Sequence, residues 1–185
     1  KEELEQNIST YQKYVAEKNY KAAIPYIKKS SLLVKQMYGE QNKDYLSLIN
    51  STGTLYFFIS KFDTAVLYYD TTLTLYKKYY SADKEGLLQT HLNLAMSYNN
   101  MEDYANAKKW YEIVVASQKE MYGTENKSYR TSIGNLANVY KNLGLYEEAE
   151  NIMVDNIEYY KKIDSKSEAY EIALQNLAAL YQKWG

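Results

Sequence analysis

The chain has 185 residues, no cysteine, 22 Lys and Arg against 23 Asp and Glu, and a formal net charge of −1. That balance leaves neither the basic footprint of a nucleic-acid binder nor a basic amphipathic helix for a membrane surface. Without cysteine there are no disulfides and no thiolate metal sites, and the uninterrupted apolar runs are only a few residues long, far short of a membrane span.

Along the chain, apolar residues recur at i, i+3, i+4 and i+7, the rhythm of amphipathic helices. The first predicted pair lies near 3–17 and 20–37, with Gly39 placed to cap the second helix in a left-handed conformation. The next pair, near 43–59 and 62–80, carries Ser60-Lys61-Phe62-Asp63 as an expected capping box. The clearest pair follows near 84–100 and 103–122. Its first helix carries Leu88, His91, Leu92, Ala95 and Tyr98 on one stripe, and its second carries Tyr104, Ala107, Tyr111 and Val114. The polar connection between them is too short for anything but a tight turn, so each pair reads as an antiparallel hairpin. A fourth pair lies near 127–142 and 145–163. There Gly144 breaks the hairpin, and Glu147 and Glu148 set negative charge at the positive end of the second helix. A last helix is predicted at 167–184, with Ser165-Lys166-Ser167-Glu168 as its capping box and Leu177, Leu180 and Tyr181 on its inward side.

These pairs are copies of one another. Aromatic-x-x-Ala falls at Tyr20/Ala23, Phe62/Ala65, Tyr104/Ala107 and Tyr146/Ala149, a step of 42 each time, and Asn-Leu-Ala opens at Asn93, Asn135 and Asn176, steps of 42 and 41. Met37-Tyr38-Gly39 with Asn42, Lys43 and Tyr45 returns two periods later as Met121-Tyr122-Gly123 with Asn126, Lys127 and Tyr129. A fixed period of this length is the signature of a stacked helical repeat. The small residues then have a steric role. Gly53, Ala95, Ala137 and Ala178 on first helices, with Ala23, Ala65, Ala107 and Ala149 on second helices, let backbones cross closely. Most of the 23 tyrosines fall at core positions, so packing accounts for them.

Asn135-Leu136-Ala137-Asn138-Val139-Tyr140 followed by Gly144-Leu145-Tyr146-Glu147-Glu148-Ala149-Glu150 resembles a tetratricopeptide repeat (TPR), and the 42-residue step resembles the long-helix kinesin-light-chain variety. Pro25, two residues after Ala23 and near a helix start, sits where that family often has a proline. The resemblance implies an all-α, right-handed α-solenoid of antiparallel hairpins: four repeats (about 3–42, 43–83, 84–126 and 127–166) and one extra helix at 167–184, forming a single domain. The unpaired last helix reads either as a terminal cap or, the favoured expectation, as the edge of a segment cut from a longer protein.

The residues offer little for catalysis. The one histidine, His91, takes a slot held elsewhere by Ile49, Ile133 and Leu174, which makes it a core residue. Alone it cannot form a zinc site, and neither a Gly-rich phosphate loop nor a nucleophile elbow is present. No catalytic residue, metal or cofactor is expected.

Binding is better supported. Ser47, Ser51, Thr54 and Phe58 form one stripe on a first helix. Gln89, Asn93, Met96 and Asn100 repeat it a period later, then Thr131, Asn135, Asn138 and Asn142, and Asn176, Ala179 and Lys183 begin it again. The stripes are polar and almost uncharged. In TPR stacks the first helices line the concave face, so the resemblance implies a trough of amides and hydroxyls suited to the main chain of an extended peptide. The alternative is that these amides bridge neighbouring helices or face water. The stripes depart from the carboxylate clamp of chaperone-binding TPR domains, since Lys141 and Lys183 are among few bases there. The expected partner is therefore a protein or extended peptide, with no nucleic acid and no membrane, and a cytoplasmic location is favoured. The segment from Tyr129 to Ala137 also resembles repeats found beside caspase-like CHAT protease domains and in sensor kinases, which implies a sensor role within a larger protein. Self-association through the exposed end helix is a further expectation.

Overall fold

The computed structural model describes all 185 residues as nine α-helices with no strand. They are α1 (Glu2–Ala16), α2 (Tyr20–Tyr38), α3 (Lys43–Phe58), α4 (Phe62–Tyr79), α5 (Lys84–Asn100), α6 (Tyr104–Tyr122), α7 (Lys127–Asn142), α8 (Tyr146–Asp164) and α9 (Glu168–Trp184). Each begins and ends within two residues of its expected bounds. No helix is long and apolar enough to cross a membrane. The chain divides into two compact units, Lys1–Met101 and Glu102–Gly185.

The period is visible in the backbone as well as in the side chains. Lys18, Ser60, Glu102 and Gly144, each 42 residues after the last, all have positive φ, at 55°, 58°, 59° and 76°. Each closes the tight connection between the helices flanking it, and a connection this short requires one left-handed residue. Only the last of the four is a glycine. An L side chain in this region costs about 1–2 kcal/mol, partly offset by the extra chain entropy that glycine loses on folding, about 0.5–1 kcal/mol. Lys18→Gly, Ser60→Gly and Glu102→Gly should therefore each stabilise the chain by about 0.5 kcal/mol, and Gly144→Ala should destabilise it by about 1 kcal/mol. Urea titration checks both signs.

The same geometry overturns the expected capping box at residues 60–63. Ser60 sits inside the left-handed turn, its N–H donating to the Phe57 carbonyl at 2.9 Å, while Lys61 occupies the cap of α4 with no side-chain bond. The box expected at 165–168 is also displaced: Ser167 is the cap, its hydroxyl accepting from the Tyr170 N–H at 3.3 Å, and Glu168 is already the first helical residue. Gly39 and Gly123 end α2 and α6 at positive φ, but with ψ of 168° and 171°, an extended conformation rather than the left-handed helical one. Asn42 and Asn126 then start α3 and α7, each side chain accepting from the N–H groups two and three residues on. This explains why Met-Tyr-Gly and Asn-Lys recur together: one ends a helix and the other begins the next. Pro25 lies in the second turn of α2, not at its start. Both Pro25 and Lys21, whose carbonyl loses its helical donor, are exposed, where the lost bond costs least.

In the first unit the core runs between hairpins α1/α2 and α3/α4 and includes Ala23, Ile27, Leu46, Leu55 and Leu75. Gly53 faces Tyr69 so closely that an added Cβ would lie 2.8 Å from its ring. Tyrosine hydroxyls tie the end of α4 to the preceding linker: Tyr79 donates to Glu40 Oε1 and Tyr80 to the Gln41 carbonyl. In the second unit Ala107, Val114, Ala137, Val139, Ala149 and Leu180 are fully buried, with Met153 beside them. Two expectations for α9 fail. Ala178 is exposed because no second helix crosses it, and Tyr181 lies 47% exposed with its hydroxyl donating to Glu150.

Candidate functional site

Helical spacing places the expected stripes on the open faces of α3, α5 and α7. On α3, Ser47 and Phe58 are exposed and Ser51 and Thr54 half-buried; on α5, Gln89, Met96 and Asn100 are exposed and Asn93 half-buried. On α7, Thr131 is exposed while Asn135, Asn138 and Asn142 are half-buried.

In the first unit the stripes are braced. Asn93 donates through Nδ2 to Asn50 Oδ1 on α3 at 3.1 Å and accepts from Gln89 Nε2 at 3.0 Å. The Tyr69 hydroxyl donates to Thr54 Oγ1 at 3.3 Å, and Asn100 Nδ2 donates to the Met96 carbonyl at 2.8 Å. Asn93 thus bridges neighbouring repeats, as the alternative reading of these amides held, while keeping part of its surface open.

In the second unit Lys183 Nζ on α9 donates to Asn142 Oδ1 on α7 at 3.2 Å. Lys141 is held below its usual pKa by burial and by the charge of Lys183. Asn135 hydrogen-bonds the Tyr111 hydroxyl, whose burial pushes its pKa up to about 12 against that bond. Asn138 Oδ1 is buried and has no hydrogen-bond partner.

A cavity of about 220 Å³ lies between α7, α8 and α9, with Asn138 among the residues that line it. Arg130, Thr131, Asn135, Asn138, Asn156, Tyr160 and Asn176 supply its polar wall, and Met153, Ile172 and Ala173 its apolar one. Arg130 is itself only 5% exposed and fully engaged: Nε donates to the Thr124 carbonyl at 2.7 Å, and Nη1 donates to Asp155 Oδ2 at 2.5 Å and Asn156 Oδ1 at 3.4 Å. Its guanidinium carbon also stands 4.3 Å from the centre of the Tyr159 ring, a cation–π contact. Asn156 Nδ2 donates back to the Arg130 carbonyl at 3.1 Å.

Arg130, Asn156, Gly134 and Tyr160 do not stand out in the sequence by helical spacing, though a signal exists. One slot of the period reads Leu4, Leu46, Leu88, Arg130, and its partner slot reads Ser30, Thr72, Val114, Asn156. A cation at an otherwise leucine position marks a local change of purpose. His91 is half-buried, and burial followed by the charge of Lys77 lowers its pKa.

Comparison with known proteins agrees with this architecture. The tetratricopeptide repeat family matches residues 86–162. No curated protein sequence matches the chain. Among solved structures, a kinesin-light-chain-like protein of Podosopora anserina, built of nearly identical TPR-like repeats, superposes with a TM-score of 0.82 at 18% identity, over 97% of this chain and 85% of that one. The apo form of RapI gives 0.79 at 15% identity, over 98% of this chain and 48% of that one. The TPR-sensor-bearing signal-transduction ATPase (STAND) of Pyrococcus horikoshii gives 0.77 at 18% identity, over 97% and 27%. The chain therefore spans less than half of the last two. The chain therefore has the fold of TPR-like repeat proteins along its length, and its residues 86–162 match the tetratricopeptide repeat family.

Proposed function

We propose that the chain is a non-enzymatic scaffold that binds extended segments of a partner protein along the first-helix stripes of each unit. The observation that carries this reading is the character of those stripes: on α3 and α5 of the first unit and on α7 of the second they are uncharged, rich in amides and hydroxyls, and exposed or half-buried. An extended peptide presents one donor and one acceptor per residue, and amides answer both. The bracing by Asn50, Gln89 and Tyr111 holds these groups in place before binding, which lowers the ordering cost on the receptor side.

The test is selection of displayed peptides on the whole chain, followed by affinity measurement with Gln89→Ala combined with Asn138→Ala. These two are chosen because Gln89 is exposed and its bond to Asn93 stays within α5, while Asn138 Oδ1 has no partner, so stability should change by no more than about 0.5 kcal/mol. Binding should weaken at least tenfold. Failure to enrich any peptide, or unchanged affinity in the double variant, rejects the reading. Asn93 and Asn135 are poorer probes, because removing either also removes a bond between two helices, at about 1 kcal/mol.

A second reading, as the sensor segment of a larger protein, is favoured by the fold likeness to the STAND sensor, of whose chain this one covers 27%. The same groove would then receive the signal and an adjoining domain would act on it.

A further inference from the structure

The charge balance of the whole chain hides one local imbalance, on the outer face of α2. Lys21, Pro25, Lys28, Lys29, Leu32, Lys35 and Gln36 are all exposed there, four lysines and no acid. The same slots one, two and three periods later are mixed. They hold Asp63 and Asp70 with Lys77 and Lys78 on α4, Glu112 and Glu120 with Lys109 and Lys119 on α6, and Glu147, Asp155 and Glu158 with Lys161 and Lys162 on α8. On α4 and α8 the acids come first and the lysines last, the order that the helix dipole favours. In α2 that order is lost: its first turn holds no acid, and Lys21 stands at the positive end. Solubility asks for charge at these slots, but not for this sign in this place.

Within the chain these lysines are poorly answered. Lys21 and Lys28 form no ion pair. Lys29 meets Glu3 of α1 at 2.6 Å and Lys35 meets Glu40 at 3.7 Å, both near the surface, where such pairs contribute little. The spacing then defines the shape of an answering partner. Lys21, Lys28 and Lys35 recur every seven residues, so they run in line along about 21 Å of helix, with Leu32 60% exposed beside them. A second helix laid alongside presents acids at the same interval and an apolar residue against Leu32. Glu3 and Glu40 border the row, so a broad anionic surface, such as a lipid headgroup layer or a nucleic-acid duplex, would meet carboxylates as well as lysines. A single narrow helix need not.

We propose that the outer face of α2 docks an acidic helix of a partner protein, with carboxylates at heptad spacing over Lys21, Lys28 and Lys35 and an apolar side chain against Leu32. Complementary charge selects and orients such a partner. The surface is distinct from the stripes on α3 and α5, and it stands whether or not the groove reading holds.

The probe is a synthetic alanine-based helix with glutamates at heptad spacing and one leucine beside them, its binding to the whole chain followed by fluorescence anisotropy. A scrambled peptide of the same composition should bind at least about tenfold more weakly. Lys21→Glu combined with Lys28→Glu should weaken binding of the acidic helix by at least about tenfold. The melting temperature should hold or rise, since both lysines are exposed and Lys21→Glu restores the sign that the dipole prefers. Lys161→Glu with Lys162→Glu, exposed on α8, should leave the affinity unchanged, and so should Gln89→Ala with Asn138→Ala in the groove. No binding of the acidic helix, equal binding of the scrambled one, or an unchanged affinity in the Lys21 and Lys28 variant overturns the proposal, as does an equal loss in either control. Tighter binding to phosphatidylserine vesicles or to duplex DNA, lost in the same variant, overturns the acidic helix as the occupant. Self-association of the chain that this variant abolishes gives the face to a second copy and overturns a foreign partner.

Discussion

Leu46→Ala should lower the free energy of unfolding by about 2–5 kcal/mol, with the midpoint in urea falling and the slope unchanged. Leu46 is 1% exposed and sits in the cluster formed by Ala23, Ile24, Ile27, Ile49, Leu55 and Leu75. Truncation removes three buried carbons, about 2 kcal/mol of transfer free energy at about 0.8 kcal/mol per methylene. The remainder depends on how far the cavity collapses. Here collapse is limited: Ala23 and Ile27 are already fully buried, and Gly53, on the same helix as Leu46, would have to move against the Tyr69 ring. Leu32, 60% exposed on α2, is the control, and Leu32→Ala should change stability by less than about 0.5 kcal/mol. A loss below about 1 kcal/mol at Leu46 would show that the repeat's leucine slot does not anchor the stack.

That slot also shows what could be read in advance. Helix positions were legible because each hairpin must bury one stripe against the next, so the same spacing is imposed on every copy. Ala23, Ala65, Ala107 and Ala149, all fully buried, follow directly from it. Caps were less legible. Ser60 fits a capping pattern locally, yet the short connection needs one left-handed residue at that point, and the connection prevails. The stripes were legible as spacing on single helices. Their bonding was not, because Asn50 and Asn93 lie 43 residues apart and only the stack brings them together. The cavity was hidden for a different reason. Its lining is gathered from three helices, and Gly134 among them has no side chain to register in an apolar rhythm. Arg130 was visible as a break in a leucine series, but its meaning depends on Asn156 and Asp155, which the next helix supplies.

The fourth member of that slot gives the second prediction. Asp155→Ala should cost about 2–3 kcal/mol, below the 3–5 kcal/mol typical of a broken buried pair. The reduction follows from geometry: Asp155 is 62% exposed, and Glu125 stays 3.5 Å from the guanidinium to compensate in part. Arg130→Leu combined with Asn156→Val should behave quite differently. It installs the residues of the preceding repeat, Leu88 and Val114, and removes the buried cation together with its buried amide partner, leaving Asp155 in water. Replacing a buried ionic group by packed apolar side chains is commonly neutral or stabilising, so the double variant should unfold within about 1 kcal/mol of the parent or above it. Urea titration of the two variants side by side decides it. A loss above about 3 kcal/mol in the double variant would mean the cation is required for folding. A neutral result would mean that Arg130 and Asn156 contribute little net stability, and that their effect lies in the polar wall they hold around the cavity beside Asn138.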